Sequence, residues 1–156
     1  TIVEAKPAMK VLCAVPFRDK TITELDVSGQ DLGVEGVLVV SRYLENNGAL
    51  EKLLMANNRL ATKEAGKAIG EALALNSVLK ELDVSSNVDG SSAKYTKTDG
   101  PGFAQELAVG VSANGALTSL DISNNSLVGR QQDSRGHWIS DMTGIKALAV
   151  AIPECK

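Results

Sequence analysis

Two rhythms of apolar residues alternate along this chain. One recurs every second residue over a few positions, the other every fourth residue over three turns. The first rhythm sits in a phrase that occurs four times, with the pattern L-x-x-L-x-L-x-x-N-x-L. Ile22, Leu25, Val27, Gln30 and Leu32 carry the first copy, and Leu50, Leu53, Met55, Asn58 and Leu60 the second. Leu79, Leu82, Val84, Asn87 and Asp89 carry the third, and Leu117, Leu120, Ile122, Asn125 and Leu127 the fourth. Gln30 and Asp89 are the departures from the pattern. Alternation at period two predicts a short strand with one buried face. The asparagine can satisfy backbone groups where the chain turns out of the strand. Parallel stacking of such strands would set these side chains in a ladder.

The second rhythm predicts a helix in the other half of each repeat. Gly36, Val40 and Leu44 lie 14, 10 and 6 residues before Leu50. Ala65, Ile69 and Leu73 hold the same places before Leu79, and Phe103, Leu107 and Val111 before Leu117. Offsets of four put one apolar stripe on one helical face. Asn47, Asn76 and Asn114 fall where a helix C-cap belongs. Thr62 reads as an N-cap, and Pro101 suits a first helical turn.

The frame continues toward both ends. Ala8, Leu12 and Pro16 repeat the helical places before Ile22, and Gly144, Leu148 and Ile152 repeat them before a projected strand at position 158. About four repeats plus a partial N-terminal helical half-repeat are therefore expected, in one domain over residues 1–156. A stack of this kind needs polar caps to close it in water. The chain reads as a fragment of a longer array. The alternative is a short protein that associates through its open ends.

The steps of 28 residues from Ile22 to Leu50 and 29 from Leu50 to Leu79 suit a long, helix-bearing repeat. With the four phrases, the chain resembles leucine-rich repeats of the ribonuclease-inhibitor-like class over nearly all its length. NOD-like receptor sensor domains and the Ran GTPase-activating protein share that class. The resemblance implies an α/β leucine-rich repeat solenoid, with parallel β-strands on the concave face and α-helices on the convex face. It also implies a protein–protein interaction module that binds through concave strand residues and the loops after them.

Composition adds detail. Aromatic residues make up 3% of the chain, so the core must be built from short aliphatic layers. Sixteen Lys and Arg against 19 Asp and Glu leave a formal charge of −3. That balance carries no electrostatic footprint for nucleic acid, and no apolar run approaches the roughly 18 residues of a membrane span. Cys13 and Cys155 lie near opposite ends without the cysteine-rich caps of secreted repeat proteins. Two free thiols fit a reducing compartment, so a cytoplasmic location is expected.

Alternation names the outward strand residues. Asp26, Asp83 and Asp121 share one column, interrupted by Leu54, and this mildly acidic face suits a basic partner. The plainer reading is that aspartate is common at this place and simply solvated. Longer steps mark two insertions between strand and helix, at 88–100 and 128–141, which should emerge on one edge, close enough that they can touch. The first holds Lys94, Tyr95 and Lys97; the second holds Arg130, Arg135, His137 and Trp138. Loop-borne aromatics and arginines are common interface anchors. Alternatively, Trp138 and Ile139 tuck beneath their loop. The candidate partner-binding residues are the seven on the insertions together with Asp26, Leu54, Asp83 and Asp121.

No nucleophile–base pairing, phosphate loop or metal-ligand run appears. No enzyme activity, cofactor or metal is expected, and the partner is a protein rather than nucleic acid or membrane. Association through open ends is the structural alternative. The Ran GTPase-activating relatives raise a minor one, in which Arg130 or Arg59, chosen by position, would act on a GTPase.

Overall fold

In the computed structural model, which describes residues 12–87 and 99–152, every phrase starts a three-residue strand. These are β1 (Glu24–Asp26), β2 (Lys52–Leu54), β3 (Glu81–Asp83) and β4 (Ser119–Asp121). They form one parallel sheet in chain order, with Leu25, Leu53, Leu82 and Leu120 in register. Between them run α1 (Gly33–Glu45), α2 (Lys63–Leu75) and α3 (Gly100–Ala113). After β4 come an antiparallel hairpin of β5 (Gly129–Gln132) and β6 (Trp138–Asp141), then α4 (Thr143–Ala151). The helices pack in sequence order, α1 on α2, α2 on α3 and α3 on α4. The buried face of the sheet meets the stripes Val40–Leu44, Ile69–Leu73 and Phe103–Leu107 in one core.

The asparagine ladder forms as the pattern requires. Asn58 Oδ1 accepts from the amides of Gln30 (2.9 Å) and Leu32 (3.3 Å), and its Nδ2 donates to Val27 O at 2.8 Å. Asn87 repeats this one strand on, accepting from Asn58 N at 2.6 Å and donating to Met55 O at 3.1 Å. Asn125 repeats it again, accepting from Asn87 N at 2.6 Å and donating to Val84 O at 2.7 Å. Each side chain thus satisfies backbone groups of the repeat before it. This is why so short a strand persists with buried polar groups beside it.

A second ladder runs along the helix ends. Asn76 Nδ2 donates to Leu44 O (3.0 Å) and Asn47 O (3.1 Å). Asn114 Nδ2 donates to Leu73 O (2.8 Å) and Asn76 O (2.7 Å). Asn76 and Asn114 do stand at the C-caps of α2 and α3, but in extended rather than left-handed backbone, while α1 ends at Asn46, one residue before the expected Asn47. Their work is to bridge repeats as well as to end helices. Thr62 caps α2 by accepting from Ala65 N, and Pro101 lies in the first turn of α3.

From Leu12 on, the expected N-terminal helical half-repeat is corrected. Ala8 lies outside the described residues, but Leu12 and Val15 pair across a tight turn with Cys13 and Ala14 in left-handed backbone. Pro16 disfavours helix at the residue before it. Val15 is fully buried against the first repeat, and Tyr43 donates its hydroxyl to Asp19 O at 2.5 Å. At the other end α4 forms as its stripe predicts, with Gly144 and Leu148 buried, though Ile152 is exposed beyond the last turn.

Candidate functional site

The outward face of the sheet is laid out by strand register. Glu24, Lys52, Glu81 and Ser119 form one row, and Asp26, Leu54, Asp83 and Asp121 the next. In the first row Lys52 Nζ lies 3.3 Å from Glu24 and 3.9 Å from Glu81. Lys80 pairs with Glu51 at 2.8 Å. These groups line a shallow depression of about 210 Å³ together with Thr23, in which two lysines offset two of the three glutamates. The second row has no ion pair among the described residues, although Lys52 in the first row acts on Asp26 through its charge. Each aspartate instead accepts from the amide two residues on: Asp26 from Ser28, Asp83 from Ser85, and Asp121 from Ser123, at 2.8–2.9 Å. Those amide hydrogen bonds hold the Asp26 and Asp121 carboxyls below the usual carboxylate range. One carboxylate oxygen of each is thus spent on the turn. Leu54 sits in this row, half-buried, with Asp26 and Asp83 in register on either side.

The second insertion is a built hairpin. Its turn is held by Asp133, whose Oδ1 accepts from the amides of Arg135 and His137, both at 2.9 Å. Asp133 N bonds His137 O at 2.9 Å, and Gly136 takes the left-handed φ of 81° that the turn needs. The amide donors push the Asp133 carboxyl down. His137 Nδ1 lies 3.4 Å from Asp133 Oδ2. At the base, Gly129 is buried so close to Pro101 that a Cβ there would lie 2.6 Å from its ring. Asp141 accepts from the amide and hydroxyl of Thr143, tying β6 to the start of α4.

Pairing of Arg130 with Ser140 and of Gln132 with Trp138 puts these four on one face of the ribbon. Val128 and Met142 continue the same alternation one residue beyond each strand. All six are exposed, with Val128 at 43%, Trp138 at 42% and Met142 at 40%. The opposite face carries the buried Gly129 and the half-buried Asp141. The ribbon therefore rests on the body at its base through Gly129, with Ile139 farther out on that face 44% exposed, and its other face presents Val128, Trp138 and Met142 among Arg130, Gln132 and Ser140 to solvent. The alternative that Trp138 and Ile139 tuck beneath the loop is corrected: both are more than two-fifths exposed.

Asp26, Leu54, Asp83 and Asp121 come together in one row. Arg130, Arg135, His137 and Trp138 come together on one hairpin, where Arg135 and His137 are exposed at the turn. Lys94, Tyr95 and Lys97 lie outside the described residues, and so does any contact between the two insertions. Arg59 is ion-paired with Asp31 at 3.1 Å. Sequence reasoning passed over Val128 and Met142. Their signal was alternation about the Asp133–Gly136 turn, read there as an irregular loop. Among the described residues no group of acidic, histidine and cysteine side chains could hold a metal, and no helix is long and apolar enough to cross a membrane.

Residues 116–138, which span β4 and most of the hairpin, match the family model described as Leucine Rich Repeat. No curated protein matches the chain. Leucine-rich repeats generally mediate protein–protein interaction and are typically non-enzymatic. The match, together with four in-register strands separated by helices, supports a leucine-rich repeat protein.

Proposed function

We propose that this chain is a protein-binding module in which the outward strand row and the β5–β6 hairpin form the contact surface. The observation that carries this reading is the outer hairpin face, where Val128, Trp138 and Met142 stand exposed around Arg130. Aromatic and arginine side chains are the anchors that protein interfaces favour, and a hairpin braced at Pro101 presents them with little ordering cost. Repeat steps of 28 and 29 residues, each with a 13-residue helix, favour the ribonuclease-inhibitor-like class. In that class the repeats form a solenoid with the strands on its concave side. On this reading residues 1–156 are one domain within a longer array, placed in a reducing, cytoplasmic setting where Cys13 stays a free thiol.

Panning a random peptide library against the chain tests the reading. Selected ligands should shift the amide resonances of the outward strand residues and the hairpin. Trp138→Ala and Asp83→Lys should each weaken them about tenfold or more. Ligands that touch only the outer helix faces, or that bind both variants as well as the parent, would overturn it.

A further inference from the structure

The two surfaces just described are complementary to each other. The hairpin presents Trp138 with Arg130 on one face and Arg135 and His137 at the turn, all exposed. Its own carboxylates are engaged locally, Asp133 with the turn amides and Asp141 with Thr143. Both carboxylates keep their charge but are half-buried, Asp133 in the turn and Asp141 on the opposite face, so the exposed charges of the hairpin are the two arginines. The sheet presents the converse, a single apolar side chain, Leu54, with Asp26 and Asp83 beside it at strand spacing, about 5 Å on each side. Among the described residues nothing within one chain joins them. Trp138 remains 42% exposed, while Asp26 and Asp121 stand exposed on the sheet.

We propose that the hairpin of one copy of this chain docks on the outward strand row of a second copy. Trp138 packs on Leu54, and Arg130 and Arg135 face Asp26 and Asp83. This rests on the protein-binding reading above and names the partner. The contact is heterologous, because the surface given differs from the surface received. It therefore propagates into rings or open chains rather than closing as a two-fold dimer. Apolar burial at Trp138 supplies the anchor, and the charges set register and salt dependence.

Sedimentation velocity on the 156-residue chain, from about micromolar to about millimolar, reads the association directly. The parent should show concentration-dependent growth that weakens as salt shortens the screening length. Trp138→Ala should weaken it about tenfold or more. The double variants Arg130→Glu with Arg135→Glu, and Asp26→Arg with Asp83→Arg, should each be monomeric alone. They should associate when mixed, because each reversed hairpin then meets a reversed face. Loss of the two aspartate turn bonds does not unmake the strands, since β2 pairs in the same register with Leu54 at that place; melting curves of each variant check this. A parent that stays monomeric throughout, or reversed pairs that do not restore association on mixing, would overturn the proposal. If library-selected peptides still bind the strand row of such a monomer, the protein-binding reading stands and only the second copy is removed. If they do not, both fall.

Discussion

Asn87 is the residue on which two repeat junctions meet. It is fully buried, accepts from Asn58 N and Leu60 N, and donates to Met55 O, Val84 O and Ser85 O. Asn87→Ala removes all five bonds and strands two amide donors of the preceding repeat. A buried unsatisfied group costs about 1–3 kcal/mol, so we expect a loss of about 3 kcal/mol, seen as a lower urea midpoint at unchanged slope. Gln30 holds the same place in the first repeat but is exposed, and among the described residues no strand precedes β1 for it to bridge. Gln30→Ala should change stability by less than about 0.5 kcal/mol. The ladder was legible because only asparagine recurs at that spacing. The tolerance of Gln30 was not, because it depends on what lies across the strand. The residue before each ladder position is left-handed in every repeat: Gly29 at 66°, Asn57 at 54°, Ser86 at 55° and Asn124 at 56°. Serine suits that region least, so Ser86→Gly should stabilise by about 0.5–1 kcal/mol; a lower midpoint would contradict this. Protonation bears on the same turns. Asp26 and Asp121 are depressed below 3.8 in the folded chain by the Ser28 and Ser123 amides. Their contribution is complete above that value and is lost as pH falls through the lower folded ones. An acid titration of the midpoint should therefore show this loss below about pH 4, and Asp26→Asn with Asp121→Asn should reduce it, leaving the part due to Asp19 and Asp133, which are also lowered.

Helices α2 and α3 touch backbone to backbone, and glycine is what lets them. A Cβ on Gly110 would overlap the Gly70 carbonyl, one on Gly70 would lie 2.5 Å from Glu106 O, and one on Gly66 would overlap the backbone of Phe103. In an open helix, alanine for glycine gains about 1 kcal/mol of propensity. Here the overlap wins, because the far wall is main chain and cannot rotate away. Gly110→Ala should cost about 2–3 kcal/mol by forcing the helices apart, which lowers the melting midpoint by about 5–10 °C. Gly115→Ala, with nothing within 4 Å, should leave it unchanged. The apolar stripes of α1 to α4 were readable because period four dominates their sequences. The glycine contact was not, since closeness between helices leaves no periodic mark. The hairpin was hidden for a different reason: Gln131, Gln132 and Ser140 are weak strand formers, and only the Asp133–Gly136 turn announces the ribbon. At the N-terminal end the apolar spacing of Leu12 and Pro16 imitates a helix, but Pro16 disfavours helical backbone at Val15 and the chain turns there instead.

Burial changes along the stack. Leu50, Leu53 and Met55 in the second repeat and Leu79, Leu82 and Val84 in the third are closed almost completely, whereas Leu117, Leu120 and Ile122 in the fourth are only half-buried. At the β1 end Val15, Leu25 and Val27 are buried, so the two ends of the sheet differ. Backbone bonding follows the same order. The amides of Val27, Met55 and Val84 donate to Leu54, Asp83 and Asp121 in the next strand, and Ile122 N has no acceptor among the described residues. Stability in a stacked array is close to a sum of repeat and nearest-neighbour terms, so the member with one neighbour opens at least cost. Hydrogen exchange on the Arg130→Glu, Arg135→Glu variant separates this gradient from any protection due to association. The Ile122 amide should exchange about a hundredfold or more faster than those of Met55 and Val84, with Val27 between them. Protection of Ile122 equal to that of Val84 would mean that another strand covers β4, and the gradient would then belong to no isolated chain.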